Sequence, residues 1–303
     1  MLNNKSSNDS NAVAYLGAIE AGGTKFVCAI ATIDGEILNE TRFPTTEPEV
    51  TLQRAIDFFK KNLPSNTESE LKSIGIGTFG PVGVNPDLDN YGKILATPKE
   101  GWENTDMIAP FISAFPGVKV KVDTDVNAAA LGEGKSGVAK NLSSYVYITI
   151  GTGIGGGVVI NDEIIKGHSH PEIGHLTVLR EEGDTFAGVC PFHSDCIEGL
   201  ASGESIHQRW GVKAECLPPG HVAWQLEASY IASLCQTLTS VLSPQRIILG
   251  GGIMEQSHLL PLIHQKFEEK AGGYWSLPSN YIVTPALGNQ SGIVGAVDLA
   301  LNA

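Results

Sequence analysis

Cys190, His193 and Cys196 stand at C-x2-H-x2-C spacing in a loop that also carries His175 upstream. Thiolates and imidazoles are the donors a tetrahedral Zn²⁺ takes, and ligands three residues apart can wrap around one ion. The quartet His175, Cys190, His193 and Cys196 therefore reads as a zinc site, with His168 and His170 as rival ligands. Four protein donors leave no open coordination position, so the ion's role is structural: it pins the loop and does not activate water. Glu172, His175 and Glu198 flank this knot, where a pinned loop can present them to a polyol.

Three glycine-rich stretches point to a second kind of chemistry: Gly22-Gly23-Thr24-Lys25, Gly151-Thr152-Gly153 and Gly250-Gly251-Gly252. Glycine lets the main chain approach a phosphate closely, so that successive N–H groups form an anion nest, and Thr24 and Thr152 add hydroxyl donors. Gly151-x-Gly153-x-x-Gly156 matches the dinucleotide fingerprint, yet Val158-Val159-Ile160 follows as a strand where that fingerprint must open a helix, which excludes a Rossmann site. No G-x-x-x-x-G-K-[ST] motif occurs in the sequence. The third stretch lies at a strand-to-helix step, another place where backbone can hold a nucleotide.

One aspartate has the setting of a general base. Val118-Lys119-Val120-Lys121-Val122 alternates as a strand and runs into Asp123-Thr124-Asp125-Val126-Asn127 at the start of a helix. Open α/β sheets place ligands at such C-terminal strand edges, and Asp125 is the candidate base. N-capping by Asp123 or Asp125, worth about 1 kcal/mol, is the competing role. Thr97-Pro98-Lys99, close to Trp102, suits a sugar, with the indole against the ring and polar groups on the hydroxyls.

The elements that must position these groups follow from periodicity. Apolar strand, glycine turn, apolar strand and polar turn occur twice, once ending in Asp34-Gly35 and once in Asn161-Asp162, so the chain reads as two copies of one unit. Helices are predicted over 51–63, 199–210, 221–242 and 290–301, and short strands over 73–77, 118–122, 246–249 and 281–284. In the 221–242 helix, Trp224, Tyr230, Ile231, Leu234, Leu238 and Val241 form one apolar face. The Asn- and Ser-rich residues 1–12 read as a disordered tail, with neither a signal peptide nor a membrane span.

The 303 residues suffice for two α/β domains. Their 33 acids against 20 bases, a formal charge of −13, argue against nucleic-acid binding, since no basic excess can displace condensed counterions. Five cysteines, three of them (Cys28, Cys216 and Cys235) scattered through the chain, suit a reducing cytoplasm.

Glu20-Ala-Gly-Gly-Thr-Lys25, Thr78-Phe-Gly-Pro81, Thr97-Pro98-Lys99 with Gly101-Trp102, the 125–133 helix start, Glu172-Ile-Gly-His175 with the Cys/His knot, and Gly250-Gly251-Gly252 together resemble the ROK family of sugar kinases, in its bacterial fructokinase branch. The resemblance implies an α/β fold of the actin/hexokinase type, with two ribonuclease-H-like domains facing a cleft. It places them at 13–127 and 128–289, with helix 290–303 packing back on the first. It further implies ATP and Mg²⁺, a hexose substrate and a homodimer. Asp125 falls at the catalytic-base position, and Glu172, His175 and Glu198 at sugar contacts. Three departures stand out. His193 replaces a cysteine common in the family, which keeps N/S ligation. Glu20 replaces a common aspartate. Thr97-Pro98-Lys99 replaces the Asn-containing loop of the glucokinase branch, which favours a ketohexose. The family's repressors carry a DNA-binding helix-turn-helix ahead of the first glycine turn, where only a short polar segment precedes Tyr15 here.

Overall fold

A computed structural model describes residues 13–64, 69–97 and 99–303; the expected disorder of the 1–12 tail and the proposed sugar contact Pro98 lie outside the described residues. The chain divides into two compact units, one comprising Met1–Asp125 with Ala296–Ala303 and the other Val126–Gly295.

In the first unit, β1 (Val13–Ala21), β2 (Lys25–Thr32), β3 (Ile37–Pro44), β4 (Ser69–Thr78) and β5 (Lys119–Thr124) form a sheet in the order β3-β2-β1-β4-β5. β1, β2 and β3 are antiparallel, while β4 and β5 join parallel to β1. Helix α1 (Pro48–Asn62) begins with a proline, whose missing N–H is no loss there, and buries Leu52, Ala55, Ile56 and Phe59. Phe59 lies over Gly17, where a Cβ would meet its ring at 3.1 Å. Burying such a ring stabilises the fold by about 2–3 kcal/mol. The short α2 (Ala109–Ala114) adds Phe111, edge-on to Phe59.

The second unit repeats the plan. After α3 (Asp125–Ser136), the strands β6 (Tyr145–Ile150), β7 (Ile154–Ile160), β8 (Glu163–Ile164), β9 (Arg246–Gly250) and β10 (Ile282–Val283) pair in the order β8-β7-β6-β9-β10. The same two antiparallel and two parallel pairings recur strand for strand. Helices α4 (Ile197–Ala201), α5 (Gly203–Trp210), α6 (Ala223–Leu242), α7 (Leu259–Ala271) and α8 (Ser291–Leu301) complete the chain.

Two details correct the periodicity. The single helix predicted over 199–210 is two, because Ser202 adopts extended backbone and its hydroxyl caps α5 by accepting from the Ser205 N–H. On α6 the predicted face is buried from Trp224 to Leu238, but Val241 is 74% exposed. No helix among the described residues is long and apolar enough to cross a membrane.

α3 and the first turn of α8 meet backbone to backbone within the second unit. A Cβ at Gly295 would lie 1.6 Å from the Ala128 carbonyl oxygen, and one at Gly132 2.1 Å from that of Ser291. Beside them the buried Glu133 carboxylate accepts from Val138 N (2.9 Å), Ala286 N (3.1 Å), Leu287 N (3.0 Å) and Ser291 Oγ (2.8 Å). In the first unit, the later turns of α8 lie on β4 at Gly75, and Ser73 Oγ donates to the Ala300 carbonyl at 2.7 Å.

Candidate functional site

The two glycine turns occupy equivalent places, one joining β1 to β2 and the other β6 to β7. The first is closed by Gly22 N–H on the Lys25 carbonyl (2.9 Å). Thr45 pins it from the side: its hydroxyl donates to Gly22 O at 2.7 Å and its N–H to Thr24 O at 3.0 Å. The second is closed by Gly151 N–H on Gly153 O (2.9 Å) and held by Gly203 N–H on Gly151 O (2.7 Å), at the start of α5. Thr24 and Thr152 are both exposed at the tips. A Cβ at Gly23 or Gly151 would meet nothing, so both turns keep bare, approachable main chain.

The remaining glycines divide by role. Gly155, Gly156 and Gly157 belong to β7, not to a turn; at Gly156 a Cβ would strike the Ile173 side chain, and at Gly157 the Val126 carbonyl. In the third stretch, Gly250 and Gly251 are needed for packing on Tyr147 and Ile150, and only Gly252 faces open space.

Glu20, at the end of β1, has an unpartnered buried Oε2 among the described residues. Burial pushes its carboxyl up, while Lys25 and Arg42 pull it down.

Around the knot, a 3₁₀ turn at Ile173–His175 packs on β7, where a Cβ at Gly174 would meet the Ile154 carbonyl. This fixes His175, with its Nδ1 3.7 Å from Cys190 Sγ and 3.6 Å from Cys196 Sγ. His193 Nδ1 is 3.8 Å from Cys190 Sγ, and all four donor atoms lie within 4.8 Å of one another. A tetrahedral ion with bonds of about 2.3 Å to sulfur and about 2.0 Å to nitrogen separates its S and N ligands by about 3.6 Å, so the spacing fits. His168 and His170 are not in this group; His170 Nδ1 lies 3.4 Å from Glu172 Oε1 instead. The turn at Cys190 is closed both ways with Ser194, and Cys196 is set beside Thr177 by Ile197 N–H on Leu176 O (2.9 Å). Burial pushes the Cys196 thiol up to about 11, with the neighbouring Cys190 adding to the rise. Glu198, on the first turn of α4, accepts from Ile154 N–H at 2.9 Å. Sequence spacing gave no sign of that contact.

Asp125 is half-buried where β5 passes directly into α3. Asp123 is buried, and its Oδ1 accepts from Thr124 N–H at 2.9 Å. In the 97–102 loop, Thr97 Oγ1 accepts from Lys99 N–H at 3.3 Å. Trp102 is no sugar platform. It is fully buried between Phe26 and Phe79, and its indole N–H donates to Thr46 O at 2.9 Å. Its role is to anchor the loop beside the residues that hold the first glycine turn.

A cavity of about 580 Å³ opens elsewhere in the second unit, and none of the predicted site residues lines it. Arg209 on its wall is already spent, donating to Asp184 Oδ2 (3.1 Å) and Leu200 O (3.1 Å) and lying 4.5 Å over the Phe186 ring. That cluster holds the 181–186 segment together and offers no free cation.

Residues 16–303 match the ROK family. The chain belongs to that family. Among curated relatives it is 42% identical to a fructokinase of Pediococcus pentosaceus, covering 94% of this chain and 97% of the relative. It is 43% identical to a fructokinase of Zymomonas mobilis, covering 95% and 96%. Of the solved structures, the ROK hexokinase of Thermus thermophilus superposes with a TM-score of 0.78 at 24% identity, covering 94% of this chain and 97% of that one. A ROK glucokinase from Streptomyces griseus, solved with glucose and AMPPNP, superposes with a TM-score of 0.74 at 25% identity, covering 95% and 100%. The ROK sugar-kinase fold of two five-stranded sheets is thus the fold of this chain.

Proposed function

We propose that the protein is a fructokinase, transferring the γ-phosphoryl group of ATP to the 6-hydroxyl of D-fructose. The observation that carries this is the graded likeness within the family. Fructokinases match at 41–43% identity over nearly the whole chain, whereas a Streptomyces coelicolor glucokinase matches at 26%.

The chemistry follows from the residues. A sugar hydroxyl is a weak nucleophile, and Asp125 accepts its proton as it attacks in line, help worth about 10²–10⁴-fold. In the first unit the turn closed by Gly22 offers phosphate oxygens the main chain of Gly23 and Thr24 with the charge of Lys25, and in the second unit the turn closed by Gly151 offers that of Thr152 and Gly153, with the open backbone at Gly252 a further donor. Mg²⁺ bound with ATP would offset phosphate charge, and Glu20 Oε2, which has no partner among the described residues, would suit a cation beside the first turn.

Thr97, Pro98, Lys99, Glu172, His175 and Glu198 bind the sugar. The Nδ1 of His175 faces both thiols, which leaves Nε2 for a hydroxyl. His175, Cys190, His193 and Cys196 would hold a structural Zn²⁺, a donor set that fits it and supplies shape alone. A homodimer, as the family resemblance implies, in a cytoplasm that suits the unpaired cysteines, completes the proposal; light scattering at twice the chain mass tests the dimer.

Turnover with fructose, mannose, glucose and N-acetylmannosamine, followed by coupled ADP detection, tests the assignment. Fructose is expected to give the highest kcat/KM; a tenfold preference for another hexose reassigns the substrate, and sugar binding without ADP release makes the protein a sensor. Asp125→Asn is expected to keep sugar affinity and lose at least about 100-fold in kcat. Near-normal turnover removes Asp125 from the role.

A further inference from the structure

One side chain that the proposed kinase reaction assigns to the sugar touches the turn it assigns to the nucleotide. Glu198 reaches back 44 residues, its Oε2 accepting at 2.9 Å from the N–H of Ile154, the residue that follows Gly151-Thr152-Gly153. At Gly153 a Cβ would stand 2.4 Å from that same oxygen, so the turn carries a glycine where the carboxylate rests. Glu198 accepts no other hydrogen bond among the described residues, leaving Oε1 available at a half-buried position.

The base of this side chain is fixed independently. Cys196, two residues earlier, is paired with Thr177, and Ile197 N–H is held by Leu176 O. The far side of the turn is fixed too, by the Gly203 N–H on Gly151 O. A carboxylate on a peptide N–H is a charge-assisted bond, stronger than its neutral counterpart and able to set the orientation of a short turn.

We infer that Glu198 is a positioning residue for the nucleotide turn as well as a sugar contact: Oε2 fixes the 151–153 turn through Ile154, and Oε1 takes a sugar hydroxyl. This rests on the kinase reading, which makes 151–153 a phosphate turn and Glu198 a sugar ligand. Its consequence is crossed sensitivity. A change at the sugar residue weakens nucleotide binding with no sugar present, and a change in the nucleotide turn weakens sugar binding with no nucleotide present.

Binary titrations of the full chain by calorimetry separate these effects. Glu198→Ala is expected to raise the Kd for Mg-AMPPNP about fivefold to tenfold in the absence of sugar, the range set by loss of one charge-assisted hydrogen bond that positions but does not touch the ligand. Glu198→Gln keeps a carbonyl acceptor for Ile154, so its nucleotide Kd is expected to stay within about twofold of the parent while fructose binding falls. Gly153→Ala pushes the carboxylate aside and is expected to weaken fructose binding without nucleotide. In the Glu198→Ala background that second effect should vanish, because the contact it disturbs is gone.

Unchanged circular dichroism and metal content in each variant confirm that the fold and the knot are intact; should Glu198→Ala lose either, the Gly153→Ala and Glu198→Gln titrations decide. Parental AMPPNP affinity in Glu198→Ala, or parental fructose affinity in Gly153→Ala, overturns the inference. A parent protein that binds neither ligand overturns the kinase reading instead, and this inference with it.

Discussion

Glu227 lies in the second turn of α6, 3% exposed, and its Oε1 has no hydrogen-bond partner among the described residues. Burial pushes its carboxyl well above the usual carboxylate value of 4.5, against a smaller downward pull from Arg209. Folding therefore takes up a proton at this site once the solution pH exceeds the unfolded value, and stability from Glu227 declines as pH rises above it. Glu227→Gln abolishes that uptake. Melting temperatures measured from pH 5 to pH 9 are expected to fall less steeply for the variant, and parallel slopes would mean that Glu227 titrates alike in both states. At this scale the sequence was informative where spacing alone brings donors together, as with His175, Cys190, His193 and Cys196. It was blind where a side chain's direction decides its role. Trp102 sits among polar residues in the chain yet points into the core, and Glu198 contacts a backbone N–H that no local pattern encodes.

Among the elements, α3 and α8 depend on a contact that only small residues permit, with Gly132 and Gly295 on carbonyl oxygens and Glu133 collecting four donors beside them. An amide at position 133 offers one acceptor oxygen and turns an NH₂ toward groups that themselves donate. Glu133→Gln is expected to lose about 2–4 kcal/mol in urea unfolding, while the exposed Glu163→Gln changes stability by less than about 0.5 kcal/mol. Equal midpoints for the two variants would refute the structural role of Glu133. Long apolar runs such as β1, β2 and α6 were legible because burial on this scale leaves a period or an uninterrupted stretch. β3, an edge strand of sequence ILNETRFP, exposes alternate polar side chains and left too weak a period. The break between α4 and α5 turns on one hydroxyl cap, which a helical pattern running through Ser202 conceals.

Across the whole molecule, a single sheet plan is used twice, and its repeat was readable because strand, glycine turn and strand recur with the same grammar. Among the described residues the knot belongs to one copy alone, so a metal held there should matter to that copy's integrity more than to the rest. Elemental analysis of the purified protein is expected to find about one zinc per chain. Chelation, or Cys196→Ser, is expected to lower the melting temperature and open the 185–198 segment to protease. A metal-stripped sample with unaltered melting and cleavage would deny the ion any structural part.

The segment Ala296–Ala303 completes the first unit, although Val126–Gly295 lies between it and the strands it covers. On the ribosome, every residue of the second unit is therefore synthesised before β4 receives the helix that seats on Gly75. The half that is translated earlier is the half that finishes later, and until then a nascent chain carries an uncovered sheet face for chaperones to shield.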